Sequence, residues 1–162
     1  MSRDHLWYFA YGSNMSPAIF LGRRGMRPRE ARSAVLHGYR LCFGIPIGPG
    51  ERGVANLIID AQARTHGVAY LVKVEDGERL DRSEGVPHLY HREHVDMMLA
   101  DGVTLPGFTY RSTILVAGRK PSARYLDLLL DGALAHGLPD DYVRYLETFE
   151  LALDERTGAV GR

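Results

Sequence analysis

The stretch Leu6-Trp7-Tyr8-Phe9-Ala10-Tyr11-Gly12-Ser13-Asn14 decides how the rest of the chain is read. Leu6 to Tyr11 is an unbroken, largely aromatic apolar run. It is too short for a helix and rich in strand formers, so it predicts a buried strand. Gly12-Ser13-Asn14 breaks that strand. Ser16-Pro17 then offers a serine to cap a helix and a proline suited to its first turn. The opening unit is therefore strand, tight glycine turn, short helix. A glycine at that turn lets backbone approach a ligand closely, and the helix entry presents N–H groups that suit an anion or a developing oxyanion. An ordinary strand-to-helix turn has the same composition, so the motif alone does not choose between structure and chemistry.

Working outward, Arg23 to Arg32 is arginine-rich with little apolar pattern, and it reads as a solvated surface segment because no aromatic stacking pattern accompanies it. His37 to Phe43 predicts a strand, Pro46 to Gly53 a loop with Gly and Pro turn chemistry, and Val54 to Asp60 and His66 to Val74 two further strands. Asn56 reads as a solvent-facing or hydrogen-bonded strand residue. Glu75 to Ser83 predicts a short helix with Leu80 inward, ending at Glu84-Gly85 with Gly85 as its C-terminal cap. Tyr90 to Leu99 and Phe108 to Val116 predict strands flanking a turn at Ala100-Asp101-Gly102. Pro121-Ser122 opens a helix with Tyr125, Leu126, Leu129, Leu130, Ala133 and Leu134 at helical spacing, and Gly137 stops it with help from Pro139. Asp140 or Asp141 caps a last helix carrying Tyr142, Tyr145, Leu146 and Phe149, and the tail after Asp154 reads as frayed. About six strands arriving in hairpins, with helices at the start, middle and end, predict an α+β fold with a curled, mainly antiparallel sheet.

The 162 residues fit a single domain spanning 1–162, with a real core. Lys plus Arg number 20 and Asp plus Glu number 20, and that balance gives no broad electrostatic footprint for nucleic acid. Cys42 is the sole cysteine and lies in the apolar run Leu41-Cys42-Phe43, so it reads as a buried, inert thiol in a reducing compartment. The N-terminal residues do not match a signal peptide, and no window approaches the roughly 20 apolar residues of a membrane span. A cytoplasmic protein with neither membrane nor nucleic-acid partner is the expectation. Oligomeric state is left open, with a homodimer as one option.

Glu84, in Arg82-Ser83-Glu84-Gly85-Val86-Pro87, carries the second chemical possibility. A carboxylate at a helix C-terminus meets the negative pole of the macrodipole, and this, like burial, raises its pKa. Such a group can act as base and then acid near neutral pH. A solvent-exposed glutamate beside a glycine cap would read the same. His88, His91 and His94 invite a metal, but they do not form HExxH, and on a strand His88 and His94 would share a face that His91 leaves. No cofactor is implied. Cys42, in mid-strand, and Ser13, with no signature of a paired base, give little support to nucleophilic catalysis.

Taken together, these residues resemble a known family. Tyr-Phe-Ala-Tyr-Gly-Ser-Asn-Met at 8–15 is similar to the opening motif of γ-glutamylcyclotransferases, with Met15 where that family usually has leucine. Ser83-Glu84-Gly85-Val86 resembles the segment holding the family's catalytic glutamate. Pro121 to Tyr125, Gly137-Leu138-Pro139 and Tyr142 resemble its later helices, so the likeness runs from about Leu6 to Leu146. The resemblance implies a compact mixed β-barrel with flanking helices, and cofactor-independent release of 5-oxoproline from a γ-glutamyl amide. It implies Glu84 as proton acceptor and donor, and Tyr8, Phe9, Ala10, Tyr11, Gly12, Ser13 and Tyr125 at a small γ-glutamyl substrate. Asn14 and Tyr90 enter as further pocket residues. Two other functions stay in view: a biosynthetic deprotecting enzyme acting on a γ-glutamylated metabolite, and a silent binding module, against which the presence of Glu84 argues.

Overall fold

The computed structural model describes residues 4–153. Strand β1 (His5–Ala10) runs antiparallel to the second half of β3 (Gly53–Lys73), with Tyr8 opposite Tyr70. Strand β3 forms a long antiparallel hairpin with β2 (Glu30–Pro46). A second hairpin joins β4 (His91–Leu99) to β5 (Thr104–Arg111). Two contacts close the sheet: β2 meets β4 antiparallel at Ala34–Leu99 and Val35–Met98, and β1 meets β5 parallel at Tyr8–Phe108. The result is a closed barrel in the order β1-β3-β2-β4-β5. This is the mixed, mainly antiparallel α+β barrel that the sequence and the resemblance led one to expect.

Five strands form it, not six. Val54–Asp60 and His66–Lys73 belong to one strand, Val74 already opening the helix that follows, and the residues between the two halves make a register shift rather than a turn. His37 pairs with Arg64 but Tyr39 pairs with Ile59, so the strand bulges at the point where Asp60 Oδ1 accepts the Gln62 N–H at 3.0 Å. Local turn chemistry was present but was spent on a bulge. A second shift, between Cys42–Asn56 and Ile45–Val54, leaves Ala55 without a cross-strand partner. The strand expected to run to Val116 ends at Arg111 because a side chain takes over from the ladder. Asn56, fully buried, donates to the Ser112 and Ile114 carbonyls at 3.0 and 3.1 Å, and accepts from the Ser112 and Leu57 N–H groups at 3.0 and 2.8 Å.

The helices lie against the barrel. A 3₁₀ turn (Ser13–Met15) and a π-helix (Ala18–Arg23) follow β1. Pro17 sits at the head of the π-helix as expected, but Ser16 contributes its backbone carbonyl, not its side chain. Helix α1 (Val74–Ser83) places acidic Glu75 and Asp76 in its first turn, where the dipole favours them, and buries Leu80 completely. Helix α2 (Ala123–Ala135) is capped by the Ser122 side chain, which accepts the Tyr125 N–H at 3.1 Å. Its inward face is Leu126, Leu129 and Ala133, with Gly132 against Met15. Leu134, expected on that stripe, lies outside it and is exposed. Pro139 rather than an aspartate occupies the N-cap of α3 (Asp140–Glu147), so Asp140 is the first helical residue, and Phe149 lies just beyond the helix. The expectation for the tail after Asp154 falls outside the described residues. Among those described, no helix is long and apolar enough to cross a membrane.

Candidate active site

Glu84 owes its position to the way α1 ends. Gly85, at φ 70°, adopts the left-handed conformation that glycine accepts without steric cost. The Gly85 N–H bonds to the Arg82 carbonyl at 3.2 Å and the Val86 N–H to the Asp81 carbonyl at 3.0 Å, the paired bonds of a Schellman stop. Glu84 is the last residue before the reversal, its own N–H held by the Leu80 carbonyl at 2.9 Å. The backbone is thus fixed on both sides, and the side chain enters a cavity of about 220 Å³ instead of solvent. Only 13% of that side chain is exposed.

The opposite wall is the glycine turn. Tyr8, Tyr11, Gly12, Ser13 and Asn14 line the cavity together with Glu84, Tyr90 and Tyr125. Phe9 and Ala10 do not: both are fully buried in the core and lie outside the wall. The strand alternation explains Phe9, which points away from the face that carries Tyr8. Gly12 permits the tightest approach in the site. A Cβ there would lie 3.0 Å from the Tyr125 hydroxyl and 3.2 Å from Ala55 Cβ.

Residues outside the expected set complete the wall. The unpaired strand position Ala55 presents both backbone groups to tyrosines: its N–H donates to the Tyr125 hydroxyl at 3.1 Å, and its carbonyl accepts from the Tyr90 hydroxyl at 2.7 Å. Tyr110 also lines the cavity. Its carbonyl accepts from Tyr11 at 2.5 Å and its hydroxyl donates to Asp81 at 2.5 Å, tying β5 to both the turn and α1. Val54 and Leu89 add apolar surface. The arginine-rich segment is not merely solvated surface: Arg24 reaches into the site, 22% exposed, with Nη2 3.3 Å from Glu84 Oε2. Its Nε donates to Asn14 Oδ1 at 2.5 Å, and Asn14 Nδ2 donates to the Tyr8 hydroxyl at 2.9 Å. Nothing in the sequence distinguished Arg24 from its neighbouring arginines, because its position depends on the pitch of the π-helix. Tyr110 was visible only as a strand residue, and Ala55 carried no signal.

The electrostatics follow from burial. Loss of solvent pushes the Glu84 carboxyl above the usual carboxylate range, while Arg24 and the Asn14 amide pull it back. Burial, reinforced by the Glu84 charge, raises the phenols of Tyr8, Tyr90 and Tyr125, the last to about 12, so all three stay protonated at neutral pH. The cavity therefore holds one titratable carboxylate among neutral hydroxyls, facing a backbone turn.

The three histidines do not converge. His88 lies in the turn ahead of β4, so the shared strand face with His94 does not arise. His91 sits 3.4 Å from Glu93, and His94 borders a separate apolar depression with Leu6, Trp7 and Phe108. No group of His, Cys, Asp and Glu among the described residues could hold a metal ion. Cys42 is half-buried, and burial pushes its thiol pKa up, which disfavours the reactive thiolate.

The closed α+β barrel thus sets one carboxylate, Glu84, in a cavity against a glycine turn. The chain belongs to the AIG2-like family, whose model matches residues 64–146. It is 34% identical to a γ-glutamyl cyclotransferase (gliK) of Claviceps purpurea over 143 residues, covering 82% of this chain and 64% of that protein. The chain spans about three fifths of the length of the curated fungal relatives it matches. Among solved structures it is similar to the human protein loc79017, with a TM-score of 0.81 at 25% identity over 92% of this chain and 90% of that one. It is similar also to a γ-glutamyl cyclotransferase, with a TM-score of 0.79 at 25% identity over 91% and 89% of the two chains.

Proposed function

We propose that this protein is a γ-glutamyl cyclotransferase that releases 5-oxoproline from a γ-glutamyl amide, with Glu84 as the general acid/base. One observation carries the reading: the Glu84 carboxylate is sequestered from solvent in a cavity whose facing wall is the turn Tyr11–Asn14, with Tyr125 alongside. A protonated α-amine cannot attack. Once it gives a proton to Glu84, its nitrogen adds to its own γ-carbonyl carbon and closes a five-membered ring. Holding the γ-glutamyl chain folded supplies much of the rate through proximity. N–H groups near Gly12 and Ser13 are suited to the oxyanion. Collapse of that intermediate breaks the bond to the leaving nitrogen, which receives protons carried across by Glu84. The exchange consumes no water and needs no redox partner. The relatives named for this activity support the reading.

A finer reading concerns the leaving group. Arg24 is the single cation among the described residues lining the cavity, and it is already paired with Glu84, while Val54 and Leu89 add apolar surface. That lining favours a γ-glutamylated metabolite with an uncharged or apolar leaving amine over a γ-glutamyl amino acid carrying a second carboxylate. A panel of γ-glutamyl amines and γ-glutamyl amino acids, with 5-oxoproline read by mass spectrometry, tests both levels. Release from the amines in preference to the amino acids is expected. Release from neither class would overturn the activity, and a preference for the amino acids would overturn the finer reading.

A further inference from the structure

Resting on that functional reading, we infer that Arg24 is the positioning residue of the site: its guanidinium bridges Glu84 to the glycine turn and so sets both the aim and the charge of the base. The geometry is a fork. Nη2 lies 3.3 Å from Glu84 Oε2 while Nε donates to Asn14 Oδ1 at 2.5 Å, so one planar group spans the two walls of the cavity. That second bond also fixes the Asn14 amide. With Oδ1 occupied by Arg24, Nδ2 is the atom that donates to the Tyr8 hydroxyl, at 2.9 Å. The Tyr8 oxygen is then an acceptor from Asn14, and its own proton is left to point toward the cavity it lines.

The fold holds Arg24 in place from both sides. Its N–H bonds to the Ile19 carbonyl at 2.8 Å, the long-pitch bond that ends the π-helix. Its carbonyl accepts from Arg79 Nη2 at 3.0 Å, which ties it to α1, the helix that ends at Glu84. A π-turn placed beside a functional cavity is a recurrent device. Here an α-helical pitch would rotate Arg24 by about a quarter of a turn relative to Ile19 and take its guanidinium away from Glu84.

The surroundings isolate this pair. From β1, the turn, the segment before β4, β5 and α2, the titratable groups facing Glu84 are Tyr8, Tyr11, Tyr90, Tyr110 and Tyr125, all raised by burial and neutral over the working range. On its own helix, Asp81 is engaged by Arg92 at 2.8 Å and by Tyr110, and Arg82 is exposed. Arg24 is thus the ionised group that opposes the desolvation of Glu84. Without it, the carboxyl would hold its proton to higher pH.

The test has two arms. In the first, the Glu84 side-chain carboxyl is followed by ¹³C NMR through a pH titration of the full chain without substrate, in wild type, Arg24→Gln and Arg24→Lys. The midpoint is expected to rise by about one pH unit in the glutamine variant, the lower end of what a neighbouring opposite charge supplies. It should move by only a few tenths of a unit in the lysine variant, which keeps the charge. An unchanged midpoint in Arg24→Gln would overturn the proposal, and this arm stands even if no cyclotransferase substrate is found. In the second arm, the acid limb of kcat/KM is expected to follow the same shift in Arg24→Gln. Arg24→Lys should keep the limb but lose about tenfold or more in kcat with little change in KM, because an ammonium cannot fork to Glu84 and Asn14 together. A rise in KM with kcat retained in both variants would instead assign Arg24 to substrate binding and overturn the positioning role. The exposed Arg23, as Arg23→Gln, is the control that should behave as wild type.

Discussion

Replacing Gly12 by alanine introduces a methyl group into space that two neighbours already fill. The new Cβ would lie 3.0 Å from the Tyr125 hydroxyl and 3.2 Å from Ala55 Cβ, whereas ordinary contact begins near 3.4 Å. Both neighbours must give by a few tenths of an ångström, and neither is free to do so. The Tyr125 hydroxyl accepts the Ala55 N–H at 3.1 Å, and Ala55 is anchored on its other side by Tyr90 at 2.7 Å. Overpacking of this kind costs about 1–3 kcal/mol, and here it also strains a hydrogen bond worth about 1 kcal/mol. The turn that faces Glu84 absorbs part of the displacement, so kcat/KM should fall by roughly ten- to a hundredfold. Urea denaturation measures the stability term, and 5-oxoproline release measures the catalytic one. Tyr125→Phe removes the atom that is struck first, so Gly12→Ala should cost less in that background, with a coupling of about 0.5 kcal/mol or more. A Gly12→Ala protein with unchanged stability and turnover, or a cycle that is strictly additive, would refute the argument that glycine is there for close approach.

Three further outcomes follow from the same structure. Asn56→Ala strands two carbonyls and two N–H groups at a fully buried position; a loss of about 3 kcal/mol is expected, seen as a drop in Tm of roughly 10 °C, and a change under about 0.5 kcal/mol would contradict it. Because the folded-state pKa of Glu84 is raised above its unfolded value, the folded chain binds that proton more tightly. Stability should therefore be higher below the unfolded pKa, fall as pH rises between the two values and level off above the folded one. Urea titrations across that range should show a fall that Glu84→Gln lacks, and an identical pH profile in the two proteins would contradict the shift. Activity should survive exhaustive chelation, since no metal-holding set occurs among the described residues; loss with EDTA that zinc restores would reopen the histidines.

Much of this was legible because local and tertiary preferences agree. The run from Leu6 to Ala10 is a strand in any context that buries it, Gly85 stops α1 through backbone geometry, and Ser122 caps α2 with its own side chain. Legibility ended where one element's course depends on another. The stretch between Asp60 and His66 breaks the apolar strand pattern, yet its partner β2 continues alongside, so the chain bulges and goes on. Strand β5 stops at Arg111 because Asn56, distant in sequence, supplies the hydrogen bonds that a ladder would have supplied. In the site, the motif residues Tyr8, Tyr11 to Asn14 and Glu84 were visible as letters in order. Phe9 and Ala10 belong to the same motif but do not line the cavity: alternation along the strand sends Phe9 to the face opposite Tyr8, and Ala10 is buried in the core. Arg24 and Ala55 could not be read at all, because a π-turn and a bulge put them in the wall, and both are products of packing.

Glu84→Gln tests most directly whether Glu84 carries the proton. The amide keeps the size and most of the hydrogen bonding but accepts no proton. With a substrate shown to be cyclised by the wild type, single-turnover release of 5-oxoproline should fall by about two to four orders of magnitude, the usual worth of a general acid/base. Binding of a γ-glutamyl ligand, measured alongside by calorimetry, should change much less, because the turn and Tyr125 remain. Turnover of Glu84→Gln within a few-fold of wild type would contradict the assignment of the base, whatever the resemblance of the fold.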